Sequence, residues 1–162
     1  MRTHWRAAGF SLALALVVGF AVTVSAAGQS KLEVVKHRQA TMKQQAADLK
    51  YIATYAKGGG GTEAGAGYKV DDLETVSGEI LALFVPGTST ADLPGKTYAK
   101  PNIWTDWKKF SAQIPHVQDL EAGLGAAVKK NNKPEILAAI GNLGKNGCGA
   151  CHSDYRAKMP RH

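Results

Sequence analysis

Residues 31–56 read KLEVVKHRQATMKQQAADLKYIATYA. Val35, Met42, Leu49 and Ala56 recur every seven residues, and Leu32, Gln39, Ala46 and Ala53 fill the other half of the stripe. A stripe of that period is the seam of a helix packed at a shallow angle in a bundle. Lys57 and the glycine run 58–61 stop it, and the Gly/Ala/Thr segment to Gly67 predicts a mobile loop.

Three more helices follow from the same reasoning. Leu73, Val76, Ile80 and Leu83 stand three and four apart over 70–84, with Asp71, Asp72 and Glu74 in the first turn, where the helix dipole favours acids. A long connection, VPGTSTADLPGKTYAKPN, carries the turn signals Pro86-Gly87, Pro94-Gly95 and Pro101 and suggests an overhand crossing. A third helix starts near Asn102, with Ile103, Phe110, Val117 and Leu124 in one row and Trp107 and Ile114 in the other; Pro115 predicts a kink there or two shorter pieces. The fourth begins near Asn132, with Pro134 tolerated in the first turn, and Ile136, Ile140 and Leu143 on its stripe. No stretch alternates with period two long enough to be a strand. The expected fold is all-α, an antiparallel four-helix bundle with a long second-to-third connection.

The composition agrees. Of 162 residues, 44% are hydrophobic and 20% charged, which excludes disorder, a collagen repeat and a disulfide-rich scaffold. The formal charge of +7 makes the surface basic, but no basic run is interleaved with stacking aromatics, so no nucleic-acid partner is expected. Residues 1–27 join Arg2 and Arg6 to an apolar stretch and close on Val24-Ser25-Ala26-Ala27, as a cleaved signal peptide does. That leaves 28–162 as a single exported, periplasmic domain, with a membrane association expected only if the segment is retained.

Both cysteines of the chain lie in Cys148-Gly149-Ala150-Cys151-His152, a C-x-x-C-H sequence of the kind that attaches haem c. On a helix, positions 0, 3 and 4 share a face. Two thiols can therefore add to the vinyl groups of one porphyrin edge while the imidazole turns to the iron. Glycines at 141, 144 and 147 suggest a side-chain-poor surface against which a flat macrocycle packs. A thioredoxin-like redox pair would need a βαβ setting, a structural zinc site a fourth ligand, and a plain disulfide would leave the histidine without a role. One covalent haem c per chain is the expected cofactor. Ten residues after His152 are too few to loop around the ring, and Met159 stays on the proximal side, so the opposite face must come from upstream helices. There Met42 is the only methionine apart from Met1.

The C-terminal CGACHSDYRAK, with Tyr155 and Arg156 after the histidine, resembles the cytochrome c′ family, the class II c-type cytochromes. Arg38-Gln39-Ala40-Thr41-Met42 is similar to the family's first-helix pattern, and LFVPGT (83–88) and KPNIWTDWKKF (100–110) to its second-helix exit and third-helix start. The family's low-spin branch carries methionine at the distal position. The resemblance thus implies His152 and Met42 as axial iron ligands, Cys148 and Cys151 as thioethers, and Arg38 on a haem propionate. With both axial positions filled, the expected function is outer-sphere electron transfer to redox partner proteins, acidic ones if Lys108, Lys109, Lys129, Lys130 and Lys133 form a docking face. The chain is not expected to be an enzyme. An alternative is a five-coordinate haem that binds a gas such as nitric oxide; a third reading is a haem-carrying subunit of an exported dehydrogenase. The resemblance also implies homodimers formed through the first two helices. His37 and His116 are expected on the surface, and Trp104 and Trp107 in the core or the pocket wall.

Overall fold

The structure, a computed structural model, describes residues 30–158; the signal segment at 1–27 and Met159 lie outside the described residues. Helix α1 (Lys31–Ala56) starts on a capping box. The Glu33 N–H donates to Ser30 Oγ at 3.3 Å and the Ser30 N–H to the Glu33 carboxylate at 2.8 Å, satisfying two donors with no helical partner. Its inward face carries Val34, Val35, Arg38, Asp48, Ile52, Tyr55 and Ala56. The heptad expectation holds for Val35 and Ala56, whereas Leu32 and Ala46 are exposed. Between Arg38 and Asp48, α1 has no buried residue; Thr41, Met42 and Gln45 are half-buried there.

Helix α2 (Glu63–Glu79) begins earlier than its apolar periodicity suggests and tightens into a 3₁₀ turn, Ile80–Leu83. The Gly65 N–H donates to Thr62 Oγ1 at 3.0 Å, capping the helix inside the segment expected to be a loop. Tyr51 of α1 lies over this corner so closely that a Cβ on Gly65 would overlap its phenol. The small residues thus mark a close helix approach.

The third helix is in three pieces: α3 (Asn102–Thr105), α4 (Trp107–Ser111) and α5 (Gln113–Lys129). The breaks fall at Asp106, whose carboxylate accepts the Lys109 N–H at 3.3 Å, and at Ala112. Pro115 makes no kink inside α5, because it sits in its first turn; the division at Ala112 just before it gives the shorter pieces that the proline predicts. Helix α6 (Lys133–Asn142) is capped by Asn132 and runs through a π-helical segment (Leu143–Gly149) into α7 (Ala150–Tyr155).

Helices α1, α2, α5 and α6 form the four-helix bundle, each packing on two others: α1 on α2 and α6, α5 on α2 and α6. The long connection therefore joins neighbours and does not cross over. Apolar burial divides into two clusters. The larger unites Ile52, Val70, Leu73, Leu124, Val128, Ile136 and Leu143 with their neighbours; the smaller consists of Ala99, Ile103, Phe110 and Tyr155. Among the described residues no helix is long and apolar enough to cross a membrane.

Candidate functional site

The C-x-x-C-H residues straddle the junction of the π segment and α7. A π turn takes an extra residue per hydrogen-bonded ring, and the run Leu143-Gly144-Lys145-Asn146-Gly147-Cys148-Gly149 suits that widening. Gly147 is buried, and a Cβ there would lie 2.9 Å from Leu143 Cδ1 and 3.2 Å from Leu120 Cδ1. It serves the crossing with α5. Gly141 and Gly144 meet nothing within 4 Å, which leaves the surface beside them free of side chains.

Cys148 and Cys151 are half-buried and unpaired with each other. Cys148 packs at the edge of the larger apolar cluster and Cys151 at the edge of the smaller. Burial raises both thiols, Cys151 to about 11, so both are held as neutral S–H. His152 is pushed the other way, below its usual value, by burial and then by the positive charge of Arg156. A neutral imidazole with a free lone pair is the form a metal ion binds.

The connection at 84–101 fastens the end of this helix. The Lys100 N–H donates to the Tyr155 carbonyl at 2.9 Å and the Ala157 N–H to the Tyr98 carbonyl at 2.7 Å, around an antiparallel bridge between Ala99 and Arg156. Lys100 Nζ donates to the carbonyls of Ser153 and Asp154 at 3.2 and 3.0 Å, and Asn102 Nδ2 to that of Asp154 at 3.2 Å. A cation at a helix C-terminus is favourable there. Phe110 meets the Tyr155 ring edge-on at 5.0 Å between centroids, and the buried Tyr155 hydroxyl has no partner.

The same connection grips α1. Arg38, 4% exposed, donates to the Leu83 carbonyl (3.0 Å), Thr88 Oγ1 (3.0 Å), the Thr88 carbonyl (3.0 Å) and Thr97 Oγ1 (2.9 Å), and lies 4.7 Å from the centre of the Phe84 ring. All four acceptors are neutral. Burial lowers its pKa to about 10, so the guanidinium stays charged at neutral pH without a carboxylate beside it. Trp104 is half-buried, its Nε1–H donating to the Phe84 carbonyl at 2.9 Å, whereas Trp107, expected in the core or pocket wall, is 40% exposed. His37 and His116 are exposed, as expected.

These features fit a haem. Two neutral thiols sit where two apolar clusters meet, with a neutral imidazole adjacent and a buried cation lacking a counter-charge. The stretch of α1 without buried residues carries Met42. Sequence reasoning missed Glu121, 2% exposed on α5, and its partner Ser77. A signal existed: Val117, Glu121, Leu124 and Val128 stand four, three and four apart, so the acid falls on the apolar stripe.

An all-α bundle with two thiols and a neutral imidazole on its last helix defines the class, a helical-bundle haem c protein. The chain belongs to the cytochrome c′ family: residues 33–156 match the family described as Cytochrome C'. Its cofactor is covalently attached haem c. The cytochrome c′ of Alcaligenes xylosoxydans xylosoxydans is 32% identical over 127 residues, 78% of this chain and 94% of that one. Among solved structures, the cytochrome c′ from Rhodobacter Spheriodes has a TM-score of 0.71 at 32% identity, covering 81% of this chain and all of the other. The nitric oxide complex of a mutant cytochrome c′ from Alcaligenes xylosoxidans has a TM-score of 0.68 at 30% identity, covering 82% of this chain and 99% of that one.

These relatives overturn the expected function. A haem that takes up nitric oxide on iron needs an axial position that two permanent protein ligands would fill. Outer-sphere electron transfer through a low-spin iron held by His152 and Met42 is therefore withdrawn in favour of the alternative.

Proposed function

We propose that this chain is an exported haem c protein, not an enzyme, that binds a small neutral gas of the nitric oxide kind on the side of the haem opposite His152. Two observations support this reading: the placing of Cys148 and Cys151 against the two apolar clusters, with His152 next in the chain, and the nitric oxide complex among the related structures. On this reading the Cys148 and Cys151 thiols each add across a vinyl group, and His152 supplies the one protein ligand to iron. When bound, the haem would supply an iron that takes up the gas. The chain does the rest. The connection at 84–101 holds the helix end after His152, and the apolar surroundings exclude water and favour an uncharged diatomic. Arg38 contributes buried positive charge, but its four terminal N–H groups are taken by Leu83, Thr88 and Thr97 and do not make the haem-propionate bonds that the resemblance implies. Met42 is then a side chain of the pocket wall. Residues 1–27 direct export to the periplasm and are removed, leaving a single domain.

The test is spectroscopic. Protein purified from the periplasm should carry one haem by mass, begin after Ala27 and show a high-spin spectrum that changes on addition of nitric oxide. A low-spin spectrum with a sulfur-to-iron charge-transfer band and no response to nitric oxide would overturn the reading.

A further inference from the structure

Glu121 stands on the α5 face turned towards α2 and is 2% exposed. Ser77 Oγ donates to its Oε1 at 2.7 Å, and Gln45 Nε2 donates to Ser77 Oγ at 3.4 Å. Its Oε2 is buried with no partner. The groups that face it are the neutral Gln45 from α1, Ser77 and the acidic Glu74 from α2, and Cys148 from the π segment, whose thiol feels its charge. The ion pairs among the described residues, Lys69–Asp48 and Lys130–Glu135, give it no cation. An ionised carboxylate here has one hydrogen bond, no counter-charge and a like-charged neighbour. Burial and Glu74 accordingly push the carboxyl up, to about 7, against the pull of Ser77.

The position links this carboxyl to the haem. The polar string Glu121–Ser77–Gln45 ends on α1 one turn after Met42, in the stretch without buried residues. Its other end lies on α5, which packs on the segment of Cys148: a Cβ at Gly147, next to Cys148, would lie 3.2 Å from Leu120, next to Glu121. Resting on the reading that haem is attached at Cys148 and Cys151, we propose that Glu121 is a proton-binding site coupled to the oxidation state of the haem. When a one-electron donor reduces ferric to ferrous iron, the Glu121 carboxylate takes one proton from solvent; when the iron is reoxidised, the carboxyl returns it. The reason is electrostatic. Ferric haem carries a positive charge that stabilises a nearby carboxylate, and reduction removes it, so the buried anion then gains by becoming neutral.

The experiment is a spectroelectrochemical titration of the haem-loaded protein from about pH 5 to about pH 9. The potential should fall as pH rises through neutrality, by at most about tenfold in the reduction equilibrium per pH unit. Glu121→Gln should abolish that fall and hold the value seen at low pH. Ser77→Ala removes only the bond that favours the carboxylate, and should move the inflection to higher pH; it keeps the test open if the glutamine variant does not fold. Haem-loaded Glu121→Gln or Ser77→Ala with the curve of the wild type overturns the proposal alone. A chain that carries no haem, recognised by mass and colour beforehand, overturns the underlying reading and the proposal with it.

Discussion

Arg38 reaches Thr88 twice, donating to its hydroxyl and to its carbonyl, each at 3.0 Å. Thr88 is fully buried, and the connection to which it belongs also pairs with the backbone around Tyr155. One segment thus ties α1, a turn before Met42, to the end of the helix that carries His152. Arg38→Ala leaves four acceptors, three of them in that segment and one on Leu83, without their donor, and should destabilise the haem-loaded protein by about 3 kcal/mol or more. Arg38→Lys should recover less than half, since an ammonium cannot span acceptors on Leu83, Thr88 and Thr97 as a planar fork does. Urea unfolding measures both; a loss below about 1 kcal/mol for the alanine variant would show that the segment is braced otherwise.

How far the sequence could be read follows from which residues speak locally. The limits of α1 were legible because its seven-residue stripe is long and a glycine run ends the helix. The C-x-x-C-H motif was legible because its spacing is itself a geometry. The break at Asp106 was not, because an aspartate inside an apolar row reads as surface until its side chain is seen capping Lys109. Nor was the early start of α2, which depends on Tyr51 from another helix covering Gly65. Asp48 and Glu121 escaped because reading helices by their apolar positions passes over a polar residue on the stripe. The distal ligand failed for a further reason: a half-buried methionine has the same pattern whether it binds iron or lines a pocket.

The glycines of the last helix should respond oppositely to alanine. A Cβ at Gly147 meets Leu143 Cδ1 at 2.9 Å and Leu120 Cδ1 at 3.2 Å, and Leu143 is fully buried, so it has little room to yield. Gly147→Ala should therefore cost about 1–3 kcal/mol. Gly141 meets nothing within 4 Å near the end of α6. Gly141→Ala should stabilise by about 0.5–1 kcal/mol, through helix propensity alone. Thermal unfolding of the two variants checks the sign; the same sign for both would refute the packing argument.

Asn131, between α5 and α6, has a φ of 52°, and its Oδ1 accepts the Tyr55 hydroxyl at 2.7 Å. Two effects meet in this residue, tolerance of the left-handed conformation and a tie to α1. Asn131→Gly keeps the first and loses the second, and should cost about 1 kcal/mol, as should Tyr55→Phe. Asn131→Ala loses both and should cost about 2 kcal/mol. Equal losses for the glycine and alanine variants would mean that backbone strain contributes nothing at this turn.

Two acids should give pH dependences of opposite sign. Glu33 is held below its usual range by the Ser30 N–H, so its contribution is present above about pH 4.5 and fades as pH falls through its folded value. Glu121 is raised from 4.5 to about 7, chiefly by burial. Above about pH 4.5 the unfolded chain releases this proton while the folded chain keeps it, so stability falls as pH rises and levels off only beyond about 7. The whole fall amounts to about 3 kcal/mol. Glu121→Gln cannot titrate and should lose this component, leaving a flatter curve whose advantage over the wild type grows from acid towards neutrality. Urea midpoints of both proteins at stepped pH decide the matter. Parallel curves would mean that Glu121 ionises in the fold as readily as in water, against its burial and its unpartnered oxygen.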